Sequence, residues 1–392
     1  MKLTALILAG GIGKRLWPLT IDKALFDFAG RPIIDYVIDD LKTAGITQLV
    51  IVTNPDNHAQ LQTLYPQTQI TVQDQPTGMA DAILTAQELI SGPILIINAS
   101  DLFHPDIIMA IDPTQICLTG LKTTQFLPAG YFKLAGSKPV AIIEKPTEAD
   151  RPSDLVKLVM DYFPDPQVLF SQLKRTKTAD HAYEQAVTQI IKNQSVSLYH
   201  YTGRFNQLKY PWQVLSMMET ILQTRLKSGR AADVSIHPTA VVDDHVTLEP
   251  GVKIMAHATV AGPSYIGART VIGNNALVRQ SMIGPDCVVG YNTEIARSWV
   301  GEKCWFHSNY IGDSVLEFDI SFGAGALTAN FRLDQQPIKD TGRTKLGAII
   351  SRGSRVGVNT SLMPGINLGS QVVVGPGLVV TQDLNDQQVY FK

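Results

Sequence analysis

Two parts of this chain hold residue types that could do chemistry at the spacing they show. The first is LILAGGIGKRLWPLTIDK (6–23), where Gly10, Gly11 and Gly13 follow an apolar run and Arg15 and Lys23 follow the glycines. Backbone N–H groups exposed by such glycines can approach a phosphate chain, and an arginine adds a forked donor for its oxygens. A dinucleotide fingerprint is not met, because Leu16 stands where a third glycine is needed, and the GxxxxGK[ST] spacing is absent. A plain tight turn therefore remains open beside a phosphate grip. The second part is KCWFHSNYIGDS (303–314), in which His307 follows two aromatics. A lone histidine there is either a packed core group or a proton acceptor. Asp101, at the end of an apolar stretch, reads by itself as a solvated strand-end carboxylate. The other histidines share no ligand spacing, and Cys117, Cys287 and Cys304 are too few and scattered for a disulfide framework or a metal cluster.

These groups need elements to hold them, and the sequence divides into two halves of different period. The first half alternates. Apolar runs at 3–8, 46–52, 70–72, 93–101 and 138–146 read as strands. Segments at 33–41, 80–90, 154–163 and 211–226 read as helices, the first opened by Pro32 and closed by Gly45. That order predicts a doubly wound, Rossmann-like α/β domain over 1–230. From 231 to 392 the period becomes six. Ile236, Val242, Leu248, Ile254, Val260, Ile266, Ile272 and Val278 are evenly spaced, and after a one-residue slip Ile283, Val289 and Ile295 continue the series. Neither a helix nor a flat strand needs that period. A triangular parallel β-helix does, with one aliphatic pointing inward on each side and small residues such as Ala258, Thr270 and Ala276 at the corners.

With 392 residues, 45% apolar and 17% charged, the chain can bury two cores. A formal charge of −2 and the lack of a basic patch interleaved with aromatics argue against nucleic-acid partners. The opening MKLTALILAG reads as a core strand, too short for a spanning helix, so a cytoplasmic protein without membrane partners is expected.

The motif LILAGGIGKRLWPLT, continued by QDQPTGMADA (73–82), NASD (98–101) and EKP (144–146), resembles the sugar-1-phosphate nucleotidylyltransferases. The six-residue repeats with HSNYIGD, GAGALTANFRLD and KLG resemble the hexapeptide-repeat acetyltransferase half of bifunctional UDP-N-acetylglucosamine-forming enzymes of the archaeal type, whose β-helix is left-handed. The resemblance implies the following roles. Gly10, Gly11, Gly13, Arg15 and Lys23 would serve the triphosphate, and Gln73 and Gly78 the base. Glu144 and Lys145 would face the sugar phosphate. Asp101 and Gln207 would hold Mg²⁺. His307 would take a proton from the sugar amine as it attacks acetyl-CoA, with Tyr310, Asn330 and Lys345 contacting that substrate. GAGALTANF (323–331) and the coils after it would let coils stack closely and let a pantetheine arm lie along them. The family coil usually forms a homotrimer.

The sequence also departs from the family pattern. Thr20 and Lys23 are separated by two residues fewer than usual and the intervening proline is missing. Gln207 replaces an aspartate, Ser100 a glycine and Phe331 a tyrosine. An amide oxygen at 207 can coordinate Mg²⁺ but brings no charge. The resemblance thus predicts acetylation of glucosamine-1-phosphate and uridylyl transfer from UTP. Its alternatives are a nucleotidylyltransferase for another sugar phosphate, such as glucose-1-phosphate, or a sugar-nucleotide-binding regulatory or scaffold protein.

Overall fold

The computed structural model describes residues 2–177 and 181–391. They form two compact units that are not consecutive in the chain. The first comprises the chain through Ile12, then Asp22–Leu25 and Ile33–Phe205; the second comprises Gly13–Ile21, Phe26–Pro32 and the chain from Asn206 onward.

The first unit is built on one mixed sheet. Strands β1 (Thr4–Leu8), β2 (Gln48–Thr53), β3 (Gln69–Val72) and β4 (Ile94–Asn98) run parallel in the order β3-β2-β1-β4. The apolar run of β1 is continuous because both of its faces are covered. Leu6 points to one core with Val50, Ile96, Ile83 and Phe170, and Ile7 to another with Ile51, Ile97, Val37 and Leu41. Helix α1 (Ile33–Thr43) buries Ile33, Val37, Ile38 and Leu41, the face its spacing predicts, and Gly45 ends it at φ +81°. Helix α2 (His58–Leu64) lies between β2 and β3; α3 (Met79–Thr85) passes into a 3₁₀ turn at Gln87–Leu89, so the expected helix over 80–90 is divided. In this strand order the chain reverses direction across the sheet beside β1, and the loops after β1 and β4 meet at the carboxyl ends where such sheets bind ligands.

Past the short α4 (Asp106–Met109) the sheet continues with β5 (Ile116–Lys122), β6 (Tyr131–Ala135), β7 (Lys138–Ile143), β8 (Leu155–Lys157) and β9 (Met160–Phe163). Helices α5 (Pro166–Arg175) and α6 (Ala182–Asn193) follow, and β10 (Val196–Tyr201) pairs in parallel with β5. The helix expected over 154–163 is therefore absent: β8 pairs antiparallel with β5, and β9 with β4. Strands buried on both faces carry uninterrupted apolar residues, and a short run of that kind also satisfies a helical template.

That same stretch buries an ion pair. Lys157 Nζ lies 2.5 Å from Asp161 Oδ2, with the two side chains 4% and 0% exposed, and Tyr183 Oη donates to the same oxygen. Burial pushes the Asp161 carboxyl upward, opposed by Lys157 and Tyr183, and it pushes the Tyr183 hydroxyl well above its ordinary value. Removing one member of such a pair leaves the other uncompensated. Lys157→Met is expected to cost about 3–5 kcal/mol in denaturant unfolding. A loss under about 1 kcal/mol would show that water reaches Asp161.

The second unit is a left-handed parallel β-helix preceded by α7 (Gln213–Thr224). Ile236 pairs with Ile254 and Val242 with Val260, one coil of three six-residue sides apart. Where the aliphatic series slips, the coil is one residue shorter, and Tyr265 pairs with Met282. Leu248, Ile254, Val260, Ile266, Ile272 and Val278 form the interior column, and Ala258, Thr270 and Ala276 are buried at its corners. Corner residues such as Asn275, Asp286 and Asn292 take positive φ, near +57°, a conformation that short polar side chains tolerate best. Val315 pairs with Ile349, so the chain between Asn330 and Leu346 leaves the coil and returns. Gly347 makes the return possible: a Cβ there would lie 2.2 Å from both Gly312 O and Ser314 Oγ. Among the described residues, no helix is long and apolar enough to cross a membrane.

Candidate active sites

The glycine turn leaves the carboxyl end of β1, and two buried asparagines at the end of β2 hold it. Asn57 Nδ2 donates to Ala9 O at 2.9 Å and Asn54 Nδ2 to Gly10 O at 3.4 Å. Each asparagine also accepts the other's backbone N–H, which makes TNPDN (53–57) a rigid bracket. The close approach at the glycines is real. A Cβ on Gly10 would stand 3.2 Å from Gln73 Oε1, and one on Gly11 would stand 3.1 Å from Lys23 Nζ. Gln73 is itself buried, and its Nε2 donates to Gly78 O at 3.1 Å and Asp81 Oδ2 at 3.0 Å. Gly78, at φ +136°, has a backbone that side-chain-bearing residues rarely adopt. The structure thus gathers Gly10, Gly11, Lys23, Gln73 and Gly78. Asp22 lies beside them; burial raises its carboxyl, against the pull of Asn57, Ala24 N and Lys23.

Asp101 is 6% exposed just beyond β4, and Asn98 Nδ2 donates to its Oδ2 at 2.9 Å. Glu144 and Lys145 follow β7, with Lys145 Nζ 3.7 Å from Glu144 Oε1 and the Lys145 backbone at φ +46°. Glu144 also faces a cavity of about 620 Å³ shared with Ile142, Glu184 and Thr188. The sequence reading missed Asn54, Asn57, Asn98 and Asp81, although the Asn-x-x-Asn spacing after an apolar strand is a visible turn signal.

Gly13 and Arg15 belong to the second unit. Gly13 takes φ +62° and opens a 3₁₀ turn, and the Arg15 guanidinium lies 5.9 Å from the Tyr210 ring centroid. Tyr210 in turn stacks on Trp212 at 4.7 Å. Gln207 is half-buried in this unit, three residues before Tyr210.

On the coil, Tyr310 and Asn330 occupy the same side of consecutive turns, and Asn330 Nδ2 donates to Tyr310 Oη at 3.1 Å. Asn330 Nδ2 also donates to Asp313 Oδ2, a carboxylate gripped bidentately by Arg297 at 2.7 and 2.8 Å. The hydrogen bonds that Arg297 donates to that carboxylate raise its guanidinium further, against its burial. His307 stands at the corner just before Tyr310. Its ring is exposed beside Trp305, with centroids 5.9 Å apart, and its backbone N–H donates to Asn309 Oδ1. Asn309 is buried, and its Nδ2 donates to Gly323 O and Ala326 O on the next coil. It pins the corner that carries His307 and joins it to GAGALTANF. Lys345 is exposed on the chain returning to the coil, bridged to Phe331. Arg343 is more deeply set, bonded to Ser216 Oγ at 3.0 Å, and burial lowers its guanidinium.

A family model described as Nucleotidyl transferase matches residues 4–212. The chain belongs to that family. A second model, Bacterial transferase hexapeptide (six repeats), matches residues 245–280. The bifunctional sugar-1-phosphate nucleotidylyltransferase/acetyltransferase of Sulfurisphaera tokodaii is 28% identical over 416 residues, covering 97% of this chain and 98% of that protein. The bifunctional protein GlmU of Methanococcus vannielii is 24% identical over 411 residues, and that of Methanococcus maripaludis 25% over 423, each match covering 99% of this chain and 97% of the relative. This nucleotidyl transferase family member thus has the architecture of a sugar-1-phosphate nucleotidylyltransferase continued by a hexapeptide-repeat acetyltransferase.

Proposed function

We propose that this protein acetylates glucosamine-1-phosphate with acetyl-CoA and couples the product to UTP, giving UDP-N-acetylglucosamine and pyrophosphate. The coarser reaction type is nucleotidyl transfer and acetyl transfer on a sugar-1-phosphate. The observation that carries the reading is that a relative bearing both activities in its name matches this chain nearly end to end. The side-chain groupings in each unit support it.

In the first step the sugar amine attacks the thioester carbonyl of acetyl-CoA, and the CoA thiol leaves. His307 accepts the amine proton, while Tyr310 and Asn330 orient the sugar and Lys345 meets its phosphate. The stretch GAGALTANF lets the thin pantetheine arm lie against the coil. The protein acts as a homotrimer, in which a neighbouring copy would cover the exposed Trp305 beside the reacting histidine.

In the second step an oxygen of the sugar phosphate attacks the α-phosphorus of UTP, and pyrophosphate leaves. Backbone amides at Gly10, Gly11 and Gly13 with Arg15 and Lys23 hold the triphosphate, Gln73 and Gly78 read the base, and Glu144 and Lys145 orient the sugar phosphate. The oxygen donors of Asp101 suit Mg²⁺, with Gln207 as a further, uncharged oxygen ligand. Among the described residues no cluster of three His, Cys, Asp or Glu side chains could cage a metal. An ion held by few protein oxygens and completed by substrate phosphates matches Mg²⁺ chemistry. When bound, Mg²⁺ neutralises charge on the phosphates.

The test follows two products from purified protein with Mg²⁺. These are pyrophosphate from UTP plus N-acetylglucosamine-1-phosphate, and free thiol from acetyl-CoA plus glucosamine-1-phosphate. Both signals are expected. Thiol without pyrophosphate would refute uridylyl transfer, and silence in both would refute the whole reading.

A further inference from the structure

One carboxylate in the β-helix is fully buried yet belongs to neither set of reacting groups. Glu317 follows the strand Val315–Leu316 and is 0% exposed. Its Oε1 accepts from Thr20 N at 2.6 Å, Ile21 N at 2.9 Å and Thr20 Oγ1 at 3.2 Å. Its Oε2 accepts from Ser351 Oγ at 2.7 Å, Arg352 N at 3.0 Å and again Thr20 Oγ1 at 3.1 Å. Two of these donors belong to the coil. The rest come from the end of Gly13–Ile21, the segment that carries Arg15.

Other coil residues on the same side act on the next stretch of the N-terminal chain. Trp299 and Tyr265 lie in one column with Val315, turn upon turn. Trp299 Nε1 donates to Asp27 O at 2.9 Å, and its ring lies 4.6 Å from that of Phe26. A Cβ on Gly30 would come within 2.7 Å of Tyr265 Oη. Within Gly13–Ile21 the chain turns tightly, with Leu16 N bonded to Gly13 O, Leu19 N bonded to Leu16 O, and both leucines buried. Glu317 fixes its far end. The spacing here is the shortened one, with two residues between Thr20 and Lys23, and the backbone amides of Thr20 and Ile21 find their acceptor on the coil.

We propose that Glu317 is a positioning residue for nucleotidyl transfer: it fixes the end of the segment that carries Arg15. This rests on the function proposed above. A buried charged acceptor with several donors is expensive to disturb, because every donor left behind is unsatisfied. The loop end therefore has one well-defined position.

The experiment uses the full chain carrying Glu317→Gln, which keeps the shape but places an N–H₂ group where one of the two accepting oxygens stood and removes the charge. Thr20→Val is a second variant that leaves the coil untouched. Hydrogen exchange at the Thr20 and Ile21 amides is expected to quicken at least about tenfold in Glu317→Gln. The kcat/KM for UTP should fall about tenfold, and by about threefold in Thr20→Val. Thiol release should persist, showing that the coil is folded. The deciding readout is Glu317→Gln in an Arg15→Ala background, where little further loss of kcat/KM is expected because the two residues act as one unit. Full additivity would overturn the inference, as would faster exchange with unchanged kcat/KM. If Glu317→Gln does not fold, an unchanged kcat/KM in Thr20→Val would overturn it. Wild-type protein that releases no pyrophosphate would refute the function and the positioning role with it, whereas unaltered exchange in Glu317→Gln would refute the clamp alone.

Discussion

His307→Ala is expected to lower acetyl transfer by about 10²–10⁴-fold, the span associated with removing a positioned general base, while pyrophosphate release stays at the wild-type level. The imidazole is exposed, so its loss opens no core cavity. Its backbone is fixed independently of the ring through Asn309, which accepts from His307 N and reaches two carbonyls on the next coil. The variant should therefore keep its stability, and a fall in rate can be assigned to the missing base. The measurement is thiol release from acetyl-CoA with saturating glucosamine-1-phosphate, with the melting temperature recorded beside it. A rate within about threefold of wild type would move the proton acceptor to another residue and leave His307 as a surface neighbour of Trp305.

How much of this was legible depends on the distance over which each feature is decided. The six-residue series was readable to the residue, because each coil repeats one local rule: an aliphatic inward, a small residue at the corner. The slip after Val278 even appears as a coil shortened by one residue. The amphipathic face of α1 and its glycine stop were equally local. Residues 154–163 were misread because the helix and doubly buried strand templates coincide over so short a run, and long-range pairing with Ile94–Asn98 and Ile116–Lys122 decided between them. The glycine turn gave its own position, but not the asparagine bracket at 54 and 57. That bracket depends on two parallel strands lying side by side. Least legible was the membership of Gly13–Ile21. Nothing near Thr20 announces an acceptor about three hundred residues later, yet Glu317 accepts both of its amide and hydroxyl donors. The departure from the family spacing between Thr20 and Lys23 was visible in sequence, and its structural setting was not.

Asp101→Asn should lower pyrophosphate release by about 10²–10³-fold and leave thiol release untouched. The side chain sits at the carboxyl end of β4, beside β1, where the sheet order reverses and the glycine turn begins. Asn98 Nδ2 already fixes one of its oxygens, so the carboxylate is oriented before any substrate arrives. Replacing it with an amide keeps its volume and an oxygen acceptor for Asn98 but removes the negative charge, and a hard cation bound mainly through phosphates feels that loss directly. The effect should show first as a higher Mg²⁺ concentration needed for half-maximal rate, then as a lower plateau. The Mg²⁺ titration therefore separates two accounts of one residue. If Asp101 merely caps a strand end, the variant should change stability a little and the Mg²⁺ dependence not at all. If it holds the ion, the titration midpoint must rise, and a midpoint equal to that of the wild type would rule the role out.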